Sequence, residues 1–135
     1  MIYPVAIEKG SDTTAFGVVI PDLKGCSAAG ETYEEALVNA KEAIEFYLED
    51  LADKEQLPPM ATTVDRHLTK PEFQGWLWAL VDVDIEPYMG GSIKKNVTLP
   101  KLLSKKIDDI VKTDNRYNDR SHFLQVAAMH ELSSI

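Results

Sequence analysis

Four carboxylates, Glu8, Asp22, Asp82 and Asp84, fall on or beside β-rich runs, where clustered acids would hold magnesium for nucleic-acid hydrolysis. Two-metal chemistry needs several carboxylates converging from the centre of a sheet, and these sit near strand ends and turns. Each also has a plainer role: Glu8 ends a strand, Asp22 lies in a turn, and Asp82 and Asp84 fall on the solvent side of a strand end. Cys26 has no evident histidine partner that would make it a nucleophile. The three histidines, His67, His122 and His130, show no metal-ligand spacing, and the last two are too far apart on one helix to share an ion. The reading is therefore of no catalytic residues, no metal and no cofactor. A different chemistry is carried by Lys94, Asn96 and Thr98, which alternate along one side of a predicted strand. Lysine suits guanine O6 and N7, asparagine suits adenine N6 and N7, and threonine offers a hydroxyl and a methyl, so the three fit base edges in a DNA major groove.

The elements around them fit that use. Val97 and Leu99 share the opposite face of the strand with Ile93, and Pro100 suits the start of a helix. Two helical stripes follow, Leu102, Leu103, Ile107, Ile110 and Val111, then Phe123, Leu124, Val126, Ala127 and Leu132, with the second helix starting near Asp119 to Ser121. One short strand and two short helices bury too little to fold alone, and the strand needs a partner. The expectation is a ribbon-helix-helix dimer, its core built on Val97, Leu99, Ile107 and Phe123, its paired strands lying in the groove. Lys101, Arg120 and Ser121 are the candidate phosphate contacts, the last two at a helix start whose amides favour an anion. Asp119 reads as the N-cap of that helix.

Charge divides the chain the same way. Residues 1–91 hold 6 Lys/Arg against 17 Asp/Glu, while residues 92–135 hold 8 against 5, so an acidic module precedes a basic one. No apolar run approaches the roughly 18 residues a membrane span needs. The N-terminus has neither the basic nor the hydrophobic region of a signal peptide, and the lone cysteine precludes an intrachain disulfide; together these fit the cytoplasm.

Within the acidic module, Tyr3–Glu8 and Phe16–Ile20 read as a hairpin, followed by a bend and a short third strand that Gly30 closes. Thr32 and Glu35 form a capping-box pattern for a helix running to about Lys54, with Tyr33, Ala36, Leu37, Ala40, Ile44, Tyr47, Leu48 and Leu51 along one stripe. Residues 60–72 carry no firm signal. Gln74 to Ile85 reads as a strand with both faces apolar, which fits a central strand covered on two sides, or one with a face kept for a partner. The fold class is α+β, in a β-β-β-α-β order followed by β-α-α. The expected divisions are 1–88, a linker at 89–92, and 93–135.

Several of these residues carry a family likeness. Tyr3-Pro4, the run Phe16 to Cys26 with its Pro21-Asp22-Leu23-Lys24-Gly25-Cys26 segment, Gly30-Glu31-Thr32-Tyr33-Glu34-Glu35-Ala36 and Asn39-Ala40 resemble the HicB antitoxin family. Asn96-Val97-Thr98-Leu99-Pro100 with Arg120-Ser121 and Phe123-Leu124 resembles its ribbon-helix-helix version, so the likeness covers Ile2 to Leu132. The resemblance implies a partial ribonuclease-H-like N-terminal domain, without catalysis, that neutralises a small basic HicA-type ribonuclease toxin. It also implies a C-terminal domain that binds, as a homodimer, the operator of its own operon and represses it. The strongly acidic first module suits a cationic partner. Two other readings stand beside this one: a repressor whose first domain senses a small molecule, with Trp76 and Trp78 lining a pocket, and a metal-dependent nuclease.

Overall fold

The computed structural model describes residues 1–135 and divides into two compact units, Met1–Ser92 and Ile93–Ile135. In the first unit, β1 (Ile2–Glu8), β2 (Phe16–Val19), β3 (Ser27–Gly30) and β4 (Leu77–Asp82) form one antiparallel sheet in the order β3-β2-β1-β4. The long helix α1 (Tyr33–Asp53) packs on one face of it. Tyr3, Val5 and Ile7 of β1 point into this layer, as alternation requires, and meet Val18, Ile20, Leu23, Val81 and Val83. From α1 come Ala36, Ala40, Ile44 and Leu48, all with no exposed area. Burying a side chain of the size of Ile44 or Leu48 contributes about 1.5–3 kcal/mol, so this shared face holds the unit together.

Local chemistry sets the elements. Thr32 caps α1 by accepting from the Glu35 amide at 3.1 Å; the return bond from the Glu35 carboxylate that the capping box suggested is not made. Gly30 lies directly beneath the first turn of α1: a Cβ there would sit 2.7 Å from Ala36 Cα, so only glycine lets the helix come this close to the sheet. Asn39 then pins the helix to β3 through a 2.8 Å bond from its amide nitrogen to the Ala29 carbonyl. Pro4 is tolerated within a strand because β1 pairs with β2 only from Ala6 onward, so no partner on that side needs its missing N–H.

The fourth strand departs from expectation in two ways. It spans six residues rather than Gln74–Ile85, because Trp76 closes a turn against Phe73, its amide bonding the Phe73 carbonyl at 3.1 Å. It is also the sheet's outer strand, not a central one. Its opposite side carries no fifth strand, and Leu77 and Leu80 are 46% and 64% exposed. Part of the apolar run that suggested two covered faces is covered instead by a loop, residues 58–76, which packs Phe73 and His67 against Trp78.

The second unit consists of α2 (Lys101–Thr113) and α3 (Arg120–Ser133). Pro100 stands at the N-cap of α2 rather than inside its first turn. Asp119 caps α3 by accepting from the His122 amide at 2.8 Å. Residues 93–99 pair with no other strand, for a simple reason: a single strand has no ladder partner within one chain.

Candidate functional site

The Pro21–Cys26 motif of the acidic unit proves to be a piece of architecture. After β2 the backbone folds through two successive turns, Leu23 N to Ile20 O at 3.0 Å and Cys26 N to Leu23 O at 2.9 Å. Leu23 fills the core and Gly25 adopts a φ of +80°, a conformation glycine takes without strain. Asp22 reaches across the molecule. Its carboxylate accepts from the Thr62 amide at 2.7 Å, from the Thr62 hydroxyl at 2.7 Å and from His67 Nε2 at 3.1 Å. Lys70 Nζ lies 2.9 Å from His67 Nδ1; an ammonium can only donate, so Nδ1 accepts and the ring proton sits on Nε2, facing Asp22. The imidazole stacks on Trp78 with centroids 6.0 Å apart.

Asp22, Thr62 and His67 superficially resemble a nucleophile relay, and they are not one. In a relay the imidazole stands between hydroxyl and carboxylate and uses both nitrogens. Here Thr62 Oγ1 and Asp22 Oδ1 converge on the same nitrogen, Nε2, and both acidic and imidazole side chains are closed from solvent. The cluster pins the 58–76 loop to the sheet. The other carboxylates stand apart from it: Glu8 is exposed at the end of β1, Asp82 lies 3.7 Å from the N-terminal amine, and Asp84 accepts from the Glu86 amide at 3.1 Å. Burial pushes the Cys26 thiol up, away from the thiolate a nucleophile needs. Trp76 and Trp78 pack edge-on against Phe73, at 5.3 and 5.5 Å, as loop anchors. Thr62, His67 and Lys70 could not be found from the sequence, because their partner Asp22 is some forty residues distant and no spacing rule joins them.

The second unit presents the DNA-type residues in the open. Lys94, Asn96 and Thr98 are exposed and make no hydrogen bond within the chain. Val97, meant for a dimer core, is 65% exposed, Leu99 and Phe123 are half-buried, and only Ile107, at 4% exposed, is buried. Ile93, Leu102, Leu103, Ile110 and Leu132 are exposed as well. That is a large share of uncovered apolar side chains for 43 residues.

At the helix starts, Lys101 opens α2, where no side chain caps the free amides, and Ser121 is exposed in the first turn of α3. Arg120 is engaged already: its guanidinium donates to both oxygens of Asp108, at 2.9 and 2.8 Å, bracing α3 against α2 and holding the Asp108 carboxyl below its usual range. Asp119 occupies one of the α3 amides that an anion would use.

Residues 3–128 match the family described as the HicB-like antitoxin of bacterial toxin–antitoxin systems. The chain is 38% identical over 134 residues, 99% of each, to a 14.9 kDa protein of the rep–hol intergenic region of Haemophilus phage HP1. It is similar to the crystal structure of the Burkholderia pseudomallei antitoxin HicB, 34% identical, with a TM-score of 0.78 and 98% of each chain covered. It is also similar to a chain of the HicA3 and HicB3 toxin–antitoxin complex, 29% identical with a TM-score of 0.53, covering 62% of this chain and 99% of that one.

Proposed function

This chain belongs to the HicB-like antitoxin family of bacterial toxin–antitoxin systems, and we propose that it works through two separate surfaces. The first unit binds and silences a HicA-type ribonuclease toxin. The second, paired with its copy as a ribbon-helix-helix dimer, binds the operator of its own operon and represses transcription in the cytoplasm. Lys94, Asn96 and Thr98 read base edges, with Lys101 and Ser121 on phosphates; Arg120 reaches a phosphate only by leaving Asp108. Neither surface carries a catalytic group.

The observation that carries the reading is the state of residues 93–99. Three polar side chains of base-reading type stand exposed and unbonded, while Val97 and Leu99, which alternate with them in the sequence, have too little of the chain to pack against. Pairing two such segments covers the apolar side and leaves the polar one outward. For the first unit, the support is the likeness to a HicB3 chain solved with HicA3, together with a strongly acidic surface suited to a basic ribonuclease.

The toxin half is tested by co-expressing the full chain with the product of the neighbouring small open reading frame. The expected outcome is a complex that survives purification and restores growth. A well-folded chain that neither captures that product nor restores growth refutes it.

A further inference from the structure

The solvent-facing side of α1 carries two apolar side chains that the fold does not use. Val38 and Phe46 are 59% and 75% exposed, and of the large apolar residues on α1 they alone lie outside the core cluster. They alternate with acids at helical spacing. Glu35, Val38, Glu42, Phe46, Glu49 and Asp53 stand three or four residues apart, all exposed, in one stripe about 27 Å long. None of its four carboxylates pairs with a cation of the chain. Glu49 and Asp53 are one turn apart, a repulsive spacing. Asp53 also occupies the last turn, where the helix dipole disfavours an acid and where Lys54 is taken by Asp50. Helix stability therefore accounts for neither the apolar pair nor the acids set between them.

Beside Phe46 an open cleft of about 300 Å³ separates α1 from the Gly25–Ser27 segment. Cys26, Ala43, Phe46, Tyr47 and Asp50 line it. Two aromatic rings and a carboxylate are surroundings that hold a guanidinium, through cation–π contact and a charge-assisted bond. Asp50 gives its Oδ2 to Lys54 at 2.8 Å, while its Oδ1 makes no bond within the chain.

We propose that this outward stripe of α1 is where the basic ribonuclease docks, with Phe46 as the apolar anchor and an arginine of the partner in the cleft. The proposal rests on the toxin reading and adds the face to it. Charge fixes the occupant. Residues 1–91 hold 17 Asp/Glu, and seven of them lie on α1 against one lysine, Lys41. Such a face repels nucleic acid and a second acidic unit, and it draws a basic protein. The anchor also serves the charges: an aromatic side chain that excludes water at the centre of a contact strengthens the ion pairs around it.

Calorimetric titration of the full chain with the purified product of the neighbouring small open reading frame, at several salt concentrations, tests the face. Phe46→Ala should weaken binding about tenfold or more and leave its salt dependence unchanged. Glu42→Lys combined with Glu49→Lys should weaken it at least as much and flatten the salt dependence. The same charge change placed elsewhere, Asp12→Lys with Glu72→Lys, should leave affinity within about threefold. All five residues are exposed, so the fold is expected to survive each change, and tryptophan fluorescence in a urea melt checks it. Carbodiimide labelling reads the same surface without substitution: Glu42, Glu49 and Asp53 should be protected in the complex and Glu72 should not. Affinity of Phe46→Ala within about threefold of wild type, equal losses from the two charge pairs, or α1 carboxylates left unprotected overturns the proposal. So does a lower molar mass of the free Phe46→Ala chain, which would assign the stripe to a second copy. Wild type that does not bind the product at all removes the toxin reading, and this surface with it.

Discussion

Replacing Asp22 with alanine tests whether the family motif is a clasp for the 58–76 loop. The carboxylate accepts three bonds, at 2.7, 2.7 and 3.1 Å, from a backbone amide, a hydroxyl and an imidazole. Asp22 and His67 side chains are each 6% exposed, so water does not replace what is lost. The Thr62 hydroxyl can turn to another acceptor, but its amide and His67 Nε2 cannot, and each buried donor without a partner costs about 1–3 kcal/mol. Removing the carboxylate also relieves the cost of having buried it, which offsets part of the loss. The net expectation is about 3 kcal/mol, or a fall in Tm of roughly 12–24 °C for a unit of this size. Both tryptophans, Trp76 and Trp78, lie in this unit, so their fluorescence during urea or thermal unfolding follows it without interference from the other. A loss smaller than about 1 kcal/mol would show that the cluster is incidental to the fold, and would require another role for Asp22.

Leu99→Asp should abolish the ribbon dimer and operator binding together while leaving toxin capture intact, because an unpaired charge under the ribbon costs several kcal/mol; sizing and a pull-down read the two outcomes. Gly30→Ala should destabilise the first unit by about 1–3 kcal/mol in a denaturant melt, since the new Cβ overlaps the α1 backbone rather than a movable side chain. Burial holds the Tyr3 phenol well above its usual value of 10.0, where it donates to the Pro59 carbonyl at 2.7 Å. A raised acid favours its neutral form in the fold, so that contribution is complete below about pH 10 and drains as pH rises past it; Tyr3→Phe should flatten the alkaline loss of stability measured by unfolding at successive pH values.

Much of the first unit is legible in the chain because its signals are local. The β-rich runs Tyr3–Glu8 and Phe16–Ile20, the Thr32 cap and the α1 stripe each fix an element within a few residues, and the buried Ala36, Ala40, Ile44 and Leu48 are the stripe's own members. What escaped is non-local. The Asp22–Thr62–His67–Lys70 cluster joins residues with no periodic relation, and it lies in the stretch, 60–72, that carries no pattern. The position of β4 escaped for a related reason: Trp76 and Trp78 read as strand faces, whereas their apolar rings serve the loop that folds back on them. In the second unit both helices follow the apolar stripes, and Asp119 caps α3 as its type and place suggest. In the sequence Arg120 reads as a phosphate contact; its bidentate bond to Asp108 depends on how two helices meet, which no single-helix pattern encodes.

The most direct test of the account is DNA affinity of the full chain for the region upstream of its own operon, against scrambled DNA, over a series of salt concentrations. The account predicts preferential binding to the upstream region. Asn96→Ala should cost about 1–3 kcal/mol and relax the preference at one position per half-site. Lys101→Ala should weaken both DNAs alike and lower the salt slope by about one. Equal affinity of wild type for both DNAs, or a specificity ratio that Lys101→Ala alters and Asn96→Ala leaves untouched, would contradict it.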